Sequence, residues 1–302
     1  MNFQWTTRSC PLCGGTKEAR VVLESNIAPA KFTEFAFASR KVPEYMHPRM
    51  VECADCCMLY GNPVLPLETI LQAYHEAAFD SQEESAFASI TYRKLLKTHL
   101  PGLSARKSAL DIGAGDGSFL EQLLLLGFRE VTGVEPSAAP IAASKPEIRK
   151  HIRHGCFRVQ DFEPDQFDLV TCFQVLEHLW DPAGIARDAF RILRPGGMFC
   201  VVVHNREALS ARLLGARSPI FDVEHLQLFC PATIAKLLQR TGFVNIQRVP
   251  VWNRYPLHYW MKLAPLPRGL KEFSIKASKQ IAVGNIPFAI PAGNLAAMGY
   301  KP

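Results

Sequence analysis

The stretch that most constrains the fold is residues 108–135, SALDIGAGDGSFLEQLLLLGFREVTGVE. Its apolar start is followed by three closely spaced glycines, Gly113, Gly115 and Gly117, which predict a tight turn whose backbone can approach a ligand. Apolar residues at helical spacing come next, and a glycine closes that segment. A second apolar segment ends at Glu135, about 20 residues beyond the glycines, where an acid can bind a ribose diol. The order predicted is strand, glycine turn, helix, strand.

The residues around the turn indicate which nucleotide it binds. A dinucleotide site needs G-x-G-x-x-G, but Ser118 stands where the third glycine should fall. Two acids, Asp111 and Asp116, flank the turn, and they would repel a pyrophosphate. The same acids suit a ligand that carries an ammonium and a sulfonium group. The turn therefore favours S-adenosylmethionine (SAM) over a dinucleotide.

Two further segments, taken with this turn, resemble a known family. The segment PDQFDLVTCFQVLEHLWDP (164–182) resembles the fourth strand and following helix of class I SAM-dependent methyltransferases. The segment RILRPGGMFCVVVHN (191–205) resembles their helix, Pro-Gly-Gly turn and fifth strand. The resemblance covers about residues 68–250. It implies an α/β fold, with a Rossmann-like, seven-stranded, mostly parallel sheet that has one antiparallel strand and helices on both faces.

The resemblance also implies cofactor contacts at the C-terminal ends of the strands. They are Asp111, Gly113, Ala114 and Gly115 at the methionine part, Glu135 at the ribose with Pro136 beside it, Asp161 and Phe162 at the adenine, and Gln174, Val175 and Leu176 on the methyl-transfer side.

Composition excludes several classes of protein. Hydrophobic residues make up 48% of the 302 residues, which is enough for a sizeable core. No apolar run reaches the roughly 18 residues of a membrane helix, and the first residues lack the apolar core of a signal peptide. We therefore expect a cytoplasmic protein. The net charge of +6 is too small to indicate nucleic-acid binding by itself.

Five of the nine cysteines lie within the first 57 residues. Cys10 and Cys13 form one C-x-x-C pair, and Cys53 and Cys56 form a second, which predicts a four-thiolate structural zinc site. Cys57 is an alternative to Cys56 as the fourth ligand, and reduced, unliganded cysteines are the alternative to zinc. The remaining cysteines are expected to be small core residues, namely Cys156, Cys172, Cys200 and Cys230.

The zinc lobe is expected to span residues 1–64, with an excursion over 26–48 that Pro29, Pro43 and Pro48 punctuate. Its aromatic and Asn-Pro ending resembles the zinc-ribbon leaders of bacterial methyltransferases that act on sugars, surface glycans and secondary metabolites. The other predicted units are linking helices over 65–104, the SAM-binding domain over 105–252, a basic aromatic insertion over 253–290, and a final strand over 291–302.

The segment 65–103 contains good helix formers and predicts two helices broken near residues 79–81. In the resembled enzymes this region covers the cofactor and contributes to the acceptor pocket. Tyr74, His75 and Tyr92 are therefore candidate substrate-binding residues. The alternative is that they are packing aromatics of amphipathic helices.

A methyl transfer to oxygen needs a base, and histidine suits this role near neutral pH. His75, His178 and His204 are candidates, and His225 is the favoured one because Asp222 and Glu224 stand near it in FDVEHLQLF. A loop-ordering role for His225 is the alternative, and His178 is expected to be structural or close to the cofactor. The FDVEHLQLF segment resembles one in zinc-containing sugar C-methyltransferases, but those enzymes carry a further C-terminal domain.

The insertion holds six basic residues against one acid within 253–280, with interleaved tyrosine and tryptophan. It can be a substrate lid, a dimer contact or a surface that lies on an anionic membrane.

The function expected is methyl transfer from SAM to a small-molecule hydroxyl, on a sugar, a glycan intermediate or a secondary metabolite. Alternatives are a sugar C-methyltransferase, a methyltransferase of RNA or protein that uses the zinc lobe for recognition, and a non-catalytic SAM-binding module. The first 57 residues hold seven basic and six acidic residues, a poor surface for phosphates, so no nucleic-acid partner is expected.

Overall fold

The computed structural model describes residues 4–28, 36–38, 44–103, 105–264, 269, 276–278 and 283–302. Among them, eleven strands and nine α-helices alternate in the pattern of an α/β protein. The strands are β1 (Glu18–Leu23), β2 (Met50–Cys53), β3 (Leu59–Gly61), β4 (Ser108–Ile112), β5 (Glu130–Glu135), β6 (Ile152–His154), β7 (Phe167–Phe173), β8 (Leu193–His204), β9 (Gln227–Leu228), β10 (Val244–Pro256) and β11 (Pro287–Tyr300). The helices are α1 (Leu67–Glu76), α2 (Gln82–His99), α3 (Ser118–Leu125), α4 (Ala138–Ala143), α5 (Pro146–Arg149), α6 (Pro182–Ile192), α7 (Leu209–Leu214), α8 (Pro231–Arg240) and α9 (Leu257–Leu263).

Seven of these strands form the main sheet, in the order β10-β11-β8-β7-β4-β5-β6. Strand β11 runs antiparallel to both of its neighbours, and the five strands from β8 to β6 are mutually parallel. The central strands β4 and β7 are buried along their whole length, as expected for parallel strands covered by helices on both faces. The predicted fold class, with one antiparallel strand, is confirmed.

A second sheet of four antiparallel strands has the order β1-β2-β3-β9. Its first three strands come from the N-terminal lobe, whereas β9 comes from the segment between β8 and α8. The lobe is therefore joined to the main domain by a shared sheet.

Local structure agrees with much of the sequence pattern. Helices α1 and α2 are separated by residues 77–81, close to the predicted break. Gly127, with φ of 92°, follows the end of α3 as the predicted left-handed cap. Cys172, Cys200 and Cys230 are buried as predicted. Cys156 is exposed, so its assignment to the core is wrong.

Two predicted boundaries are also wrong. The VLEHL segment at 175–179 was expected to begin a helix, but it forms a turn, and α6 begins only at Pro182. The reason is local: Asp181 accepts a hydrogen bond from the Gly184 N–H and caps the helix, and proline suits its first position. The predicted Pro-Gly-Gly turn lies within β8, where Gly196 has φ of 77° and the pairing with β7 is irregular.

Several predicted features lie outside the described residues: Pro29 and Pro43 of the excursion, and Arg268, Lys271, Glu272 and Lys279 of the insertion. Of the helices that are described, none has the length and hydrophobicity that crossing a bilayer requires.

Candidate active site

The glycine turn lies between β4 and α3, at the C-terminal edge of the sheet. Gly113, Gly115 and Gly117 all have positive φ, at 80°, 55° and 74°. The N–H groups of Gly113 and Ala114 both bind the carbonyl of Val134, which holds the turn against β5. A Cβ on Gly113 would lie 2.4 Å from Cγ2 of Val175, so this position needs glycine for space as well as for conformation.

Glu135 ends β5 beside this turn and is buried. Its carboxylate accepts hydrogen bonds from the N–H groups of Gly115, at 2.9 Å, and Ser137, at 2.8 Å. Burial nevertheless raises the pKa of Glu135 above its ordinary value. The carboxylate is thus held rigidly beside the glycine turn.

The two acids that flank the turn differ in position. Asp111 lines the cavity described below and accepts a 2.6 Å hydrogen bond from Thr171. Asp116 is buried and accepts hydrogen bonds from the Ser85 hydroxyl, at 2.7 Å, and from the N–H and hydroxyl of Ser118. Asp116 therefore ties α2 to the start of α3. Of these two acids, only Asp111 lines the cavity.

A cavity of about 620 Å³ extends from the glycine turn to a group of histidines. Most of the predicted site residues line it, in the part of the chain that is described. They are Asp111, Gly113, Ala114, Gly115, Glu135, Pro136, Gln174 and Val175 among the cofactor residues, Tyr74 and Tyr92 among the acceptor residues, and His178, His204, Asp222, Glu224 and His225 among the catalytic candidates.

Four predicted residues lie elsewhere. Leu176 is fully buried in the core. His75 is exposed and stacks on His154, with ring centroids 5.7 Å apart, so its prediction as a pocket residue is wrong. Asp161 and Phe162 line a smaller neighbouring cavity of about 330 Å³, which shares Cys156 with the larger one.

Three histidines form the polar end of the cavity. The His225 ring lies between those of His178 and His204, with centroid separations of 4.8 Å to each. His178 Nδ1 lies 2.9 Å from the Tyr74 hydroxyl and 3.7 Å from Oε2 of Glu224. Burial and nearby carboxylates, Glu224 first among them, raise the pKa of Tyr74, so its hydroxyl stays protonated. The predicted catalytic residues are therefore brought together.

His204 ends β8 next to His225. Burial lowers the pKa of His204 to about 4, against a smaller opposing effect of its hydrogen bond to Asn294. Glu177 lies beneath it, fully buried, and accepts a hydrogen bond from the backbone N–H of His204. Burial raises the pKa of Glu177 to about 7. A neutral imidazole thus lies above a carboxyl group that titrates near neutral pH.

The segment that carries Glu224 and His225 is held from two sides. On one side the Leu226 N–H donates to the carbonyl of Glu177, and the Gln227 side chain donates to two carbonyls of the same turn. On the other side the Leu226 carbonyl accepts from the Gly61 N–H of the N-terminal lobe. The histidine cluster is therefore positioned by the lobe as well as by the main sheet.

Sequence reasoning missed part of the cavity wall. Asn253 and Asn294, on β10 and β11, line it, although single asparagines near strand ends carry no distinctive pattern. For the basic aromatic insertion, a substrate lid was one of three alternatives, and its members that line the cavity are Tyr255, Tyr259, Trp260 and Leu263.

The paired cysteines converge in the N-terminal lobe. The sulfurs of Cys10, Cys13, Cys53 and Cys56 all lie within 4.8 Å of one another. Cys57 is exposed and adopts a positive φ of 63°, and it does not belong to this group. Of the two candidates for the fourth position, Cys56 is the one that faces the other three.

Comparisons with known proteins agree with this geometry. A family profile described as "Methyltransferase domain" matches residues 81–248, more than half of the chain. A probable S-adenosylmethionine-dependent methyltransferase of Mycolicibacterium smegmatis is 34% identical over 140 residues, which cover 46% of this chain and 52% of that protein. A ubiquinone biosynthesis O-methyltransferase of Pseudomonas savastanoi pv. phaseolicola is 32% identical over 120 residues, covering 37% and 51%. The chain spans about half the length of these curated relatives.

Among solved structures, a SAM-dependent methyltransferase from Archaeoglobus fulgidus is similar with a TM-score of 0.48 and 17% identity, over 70% of this chain and 94% of that one. The family profile spans the glycine turn, Glu135 and the histidines. With profile, sheet order and turn in agreement, this chain belongs to the methyltransferase domain family and has the class I SAM-dependent methyltransferase fold.

Proposed function

We propose that the chain transfers the methyl group of SAM to a hydroxyl group of a small molecule: a sugar, a glycan intermediate or a secondary metabolite. The observation that carries the proposal is the continuity of the cavity, which joins Glu135 and the glycine turn at one end to the three histidines at the other. Family membership and the SAM-dependent relative from Mycolicibacterium smegmatis support the choice of cofactor.

In this proposal the cofactor lies across the glycine turn. Glu135 binds the ribose hydroxyls through its ionised carboxylate, and Asp111 provides negative charge close to the methionine part. Since the N–H groups of Gly115 and Ser137 already fix the Glu135 carboxylate, little reorganisation is needed on binding. Gln174, whose side chain accepts a hydrogen bond from Tyr92 at 3.2 Å, borders the path between cofactor and acceptor.

The acceptor would occupy the remainder of the cavity, where Tyr92, Phe173, Tyr255 and Tyr259 provide an aromatic wall. Such a wall favours an acceptor with an apolar face or ring. In the reaction the S–CH₃ bond breaks as the O–CH₃ bond forms, S-adenosylhomocysteine leaves, and the hydroxyl loses its proton. The histidine cluster, with Glu224, lies at the end of the cavity and would take up this proton.

A hydroxyl acceptor is favoured over carbon by the similarity to the O-methyltransferase of ubiquinone biosynthesis. The aromatic wall also fits a small molecule better than a nucleic acid, whose phosphates need a basic surface.

We further propose that the four clustered cysteines bind a structural Zn²⁺. Four thiolates in tetrahedral geometry form a closed site, and the Gly15 N–H already points at the Cys13 sulfur, 3.4 Å away. The zinc would hold together a lobe whose β1 strand is largely exposed.

The cofactor assignment is tested by calorimetric titration with S-adenosylhomocysteine and, in parallel, with NAD. Micromolar binding of the former alone is expected. The protein is then incubated with SAM and a panel of hydroxyl, amine and carbon acceptors, and products are detected by a mass increase of one methyl group. A preference for NAD would contradict the cofactor, and methylation of amines or carbon alone would contradict the hydroxyl acceptor.

A further inference from the structure

The polar end of the cavity contains a group of side chains with the composition of a metal site. His178, Glu224 and His225 each offer a ligand atom, and these atoms all lie within 4.8 Å of one another. We infer that these three residues bind a divalent first-row transition-metal cation at the acceptor end of the cavity, separate from the four cysteines. The role given to that cation below rests on the proposed function, whereas its binding does not.

Hydrogen bonds around His225 prepare it for this role. Its Nδ1 lies 2.8 Å from the backbone carbonyl of Ile220. Because a carbonyl can only accept, Nδ1 carries the proton and Nε2 keeps the lone pair that a metal ligand needs. A ring N–H bound to a backbone carbonyl is the usual way in which proteins orient a metal-binding histidine.

The other two ligands already lie side by side. His178 Nδ1 is 3.7 Å from Oε2 of Glu224, and both side chains are mostly buried, with exposed fractions of 16% and 11%. The Tyr74 hydroxyl, 2.9 Å from the same nitrogen, is a neutral oxygen within reach of an ion held there. Ligand atoms around a tetrahedral metal with bonds of about 2.0–2.2 Å lie roughly 3.3–3.6 Å apart. A pair at the 4.8 Å limit would therefore have to approach by up to about 1.5 Å.

A second observation concerns the buried acid that precedes His178 in the chain. Glu177 precedes His178 and is fully buried, and one of its carboxylate oxygens, Oε2, has no hydrogen-bond partner among the described residues. A buried carboxylate oxygen without a partner is unfavourable unless a cation lies near.

The donor set indicates the kind of ion. Two imidazoles and one carboxylate suit Zn²⁺, Mn²⁺, Fe²⁺ or Co²⁺, whereas Mg²⁺ and Ca²⁺ prefer oxygen donors alone. Three protein ligands leave a coordination position open, which is the arrangement of a reactive site rather than of a structural one.

An acceptor hydroxyl bound at the open position would have a lowered pKa. It would release its proton to water, and its oxygen would attack the methyl carbon as the S–CH₃ bond breaks. His225 is then a ligand instead of the proton acceptor.

The test measures bound zinc in the full-length protein after equilibration with micromolar Zn²⁺ and removal of free metal. Wild type is expected to hold one zinc equivalent per chain more than His225→Ala and Glu224→Gln. Glu224→Gln guards against misfolding, since it preserves shape, and circular dichroism verifies both variants. His154→Ala is the matched control, because this exposed histidine stacks on His75 and could bind zinc adventitiously.

Equal zinc contents in wild type and both ligand variants, or loss of the equivalent in His154→Ala alone, would overturn the inference. Titration with S-adenosylhomocysteine on the same samples separates the two proposals. Binding of that ligand without the additional zinc leaves the proposed function standing and the metal site refuted. Additional zinc without S-adenosylhomocysteine binding would support the metal site and contradict the proposed function.

Discussion

The backbone N–H of Gly115 donates a 2.9 Å hydrogen bond to Oε2 of Glu135, which joins the glycine turn to the end of the neighbouring strand. The two groups that would bind opposite parts of the cofactor therefore hold each other in place. This link lets the turn keep its left-handed backbone, at a φ of 55° for Gly115, as one rigid element.

Replacement of Glu135 by glutamine should weaken S-adenosylhomocysteine binding by about tenfold or more, since a charge-assisted hydrogen bond contributes about 1.5–3 kcal/mol. Glu130→Gln is the matched control, because Glu130 is exposed at the start of the same strand. Calorimetry at pH 7.5 compares the three proteins. Equal affinities for wild type and Glu135→Gln would remove Glu135 from the site.

Affinity for S-adenosylhomocysteine should also depend on pH through Glu135. Burial raises the pKa of this carboxyl. As pH falls, the ionised form proposed to bind ribose is therefore lost at a higher pH than it would be for an exposed glutamate. The effect on folding stability has the opposite sign. Because the pKa of Glu135 is raised in the folded state, its protonation stabilises the folded protein at acid pH, and this contribution is lost as pH rises through the folded-state pKa. Titrations between pH 4.5 and 8 should show weakening toward acid in wild type and a flat profile in Glu135→Gln.

Gly113→Ala should lower both stability and cofactor affinity, because its φ is 80° and the new methyl group would collide with Val175 at 2.4 Å. The Gly127→Ala variant separates strain from collision, since Gly127 has φ of 92° but open space around its Cα. It should lose about 1–2 kcal/mol of unfolding free energy. Chemical denaturation measures the stability of each variant, and calorimetry measures its cofactor affinity. A Gly113→Ala variant in which only one of these two properties changes would contradict the prediction.

Cys56→Ser should remove one zinc equivalent and lower the thermal stability of the lobe, whereas Cys57→Ser should leave both unchanged. The reason is position: Cys56 belongs to the four-sulfur group, and Cys57 is exposed outside it. Metal analysis and thermal unfolding provide the measurement. The reverse pattern would assign the fourth ligand to Cys57.

Asp168→Ala should destabilise the protein by about 3 kcal/mol while leaving cofactor affinity intact. This buried carboxylate accepts hydrogen bonds from the N–H groups of Lys107 and Ser108 and pairs with Arg194 at 3.0 Å. Removing it leaves these donors without their acceptor. Asp165→Asn, which weakens the pair of the exposed Asp165 with Lys301 and tolerates the φ of 55° at this position, should cost less than about 1 kcal/mol in denaturant unfolding.

Local patterns predicted the parts of the site that depend on neighbouring residues. The glycine turn, Glu135 and the paired cysteines follow from short spacings, because backbone conformation and thiolate geometry restrict residue type. Asp116 and His75 were misplaced, since the partners that decide their roles, Ser85 and His154, are distant in sequence. Asn294 reaches His204 across strand pairing that no local periodicity encodes.

The two-residue strand Gln227–Leu228, which completes the sheet of the N-terminal lobe, begins two positions after His225. A perturbation of the lobe would therefore travel along the chain to the acceptor end of the cavity and leave the glycine turn largely undisturbed. The lobe thus holds one end of the segment that carries His225, through the pairing of β3 with β9. Destabilising the lobe should therefore change the acceptor preference first. A larger perturbation should be needed to weaken binding of the cofactor at the glycine turn.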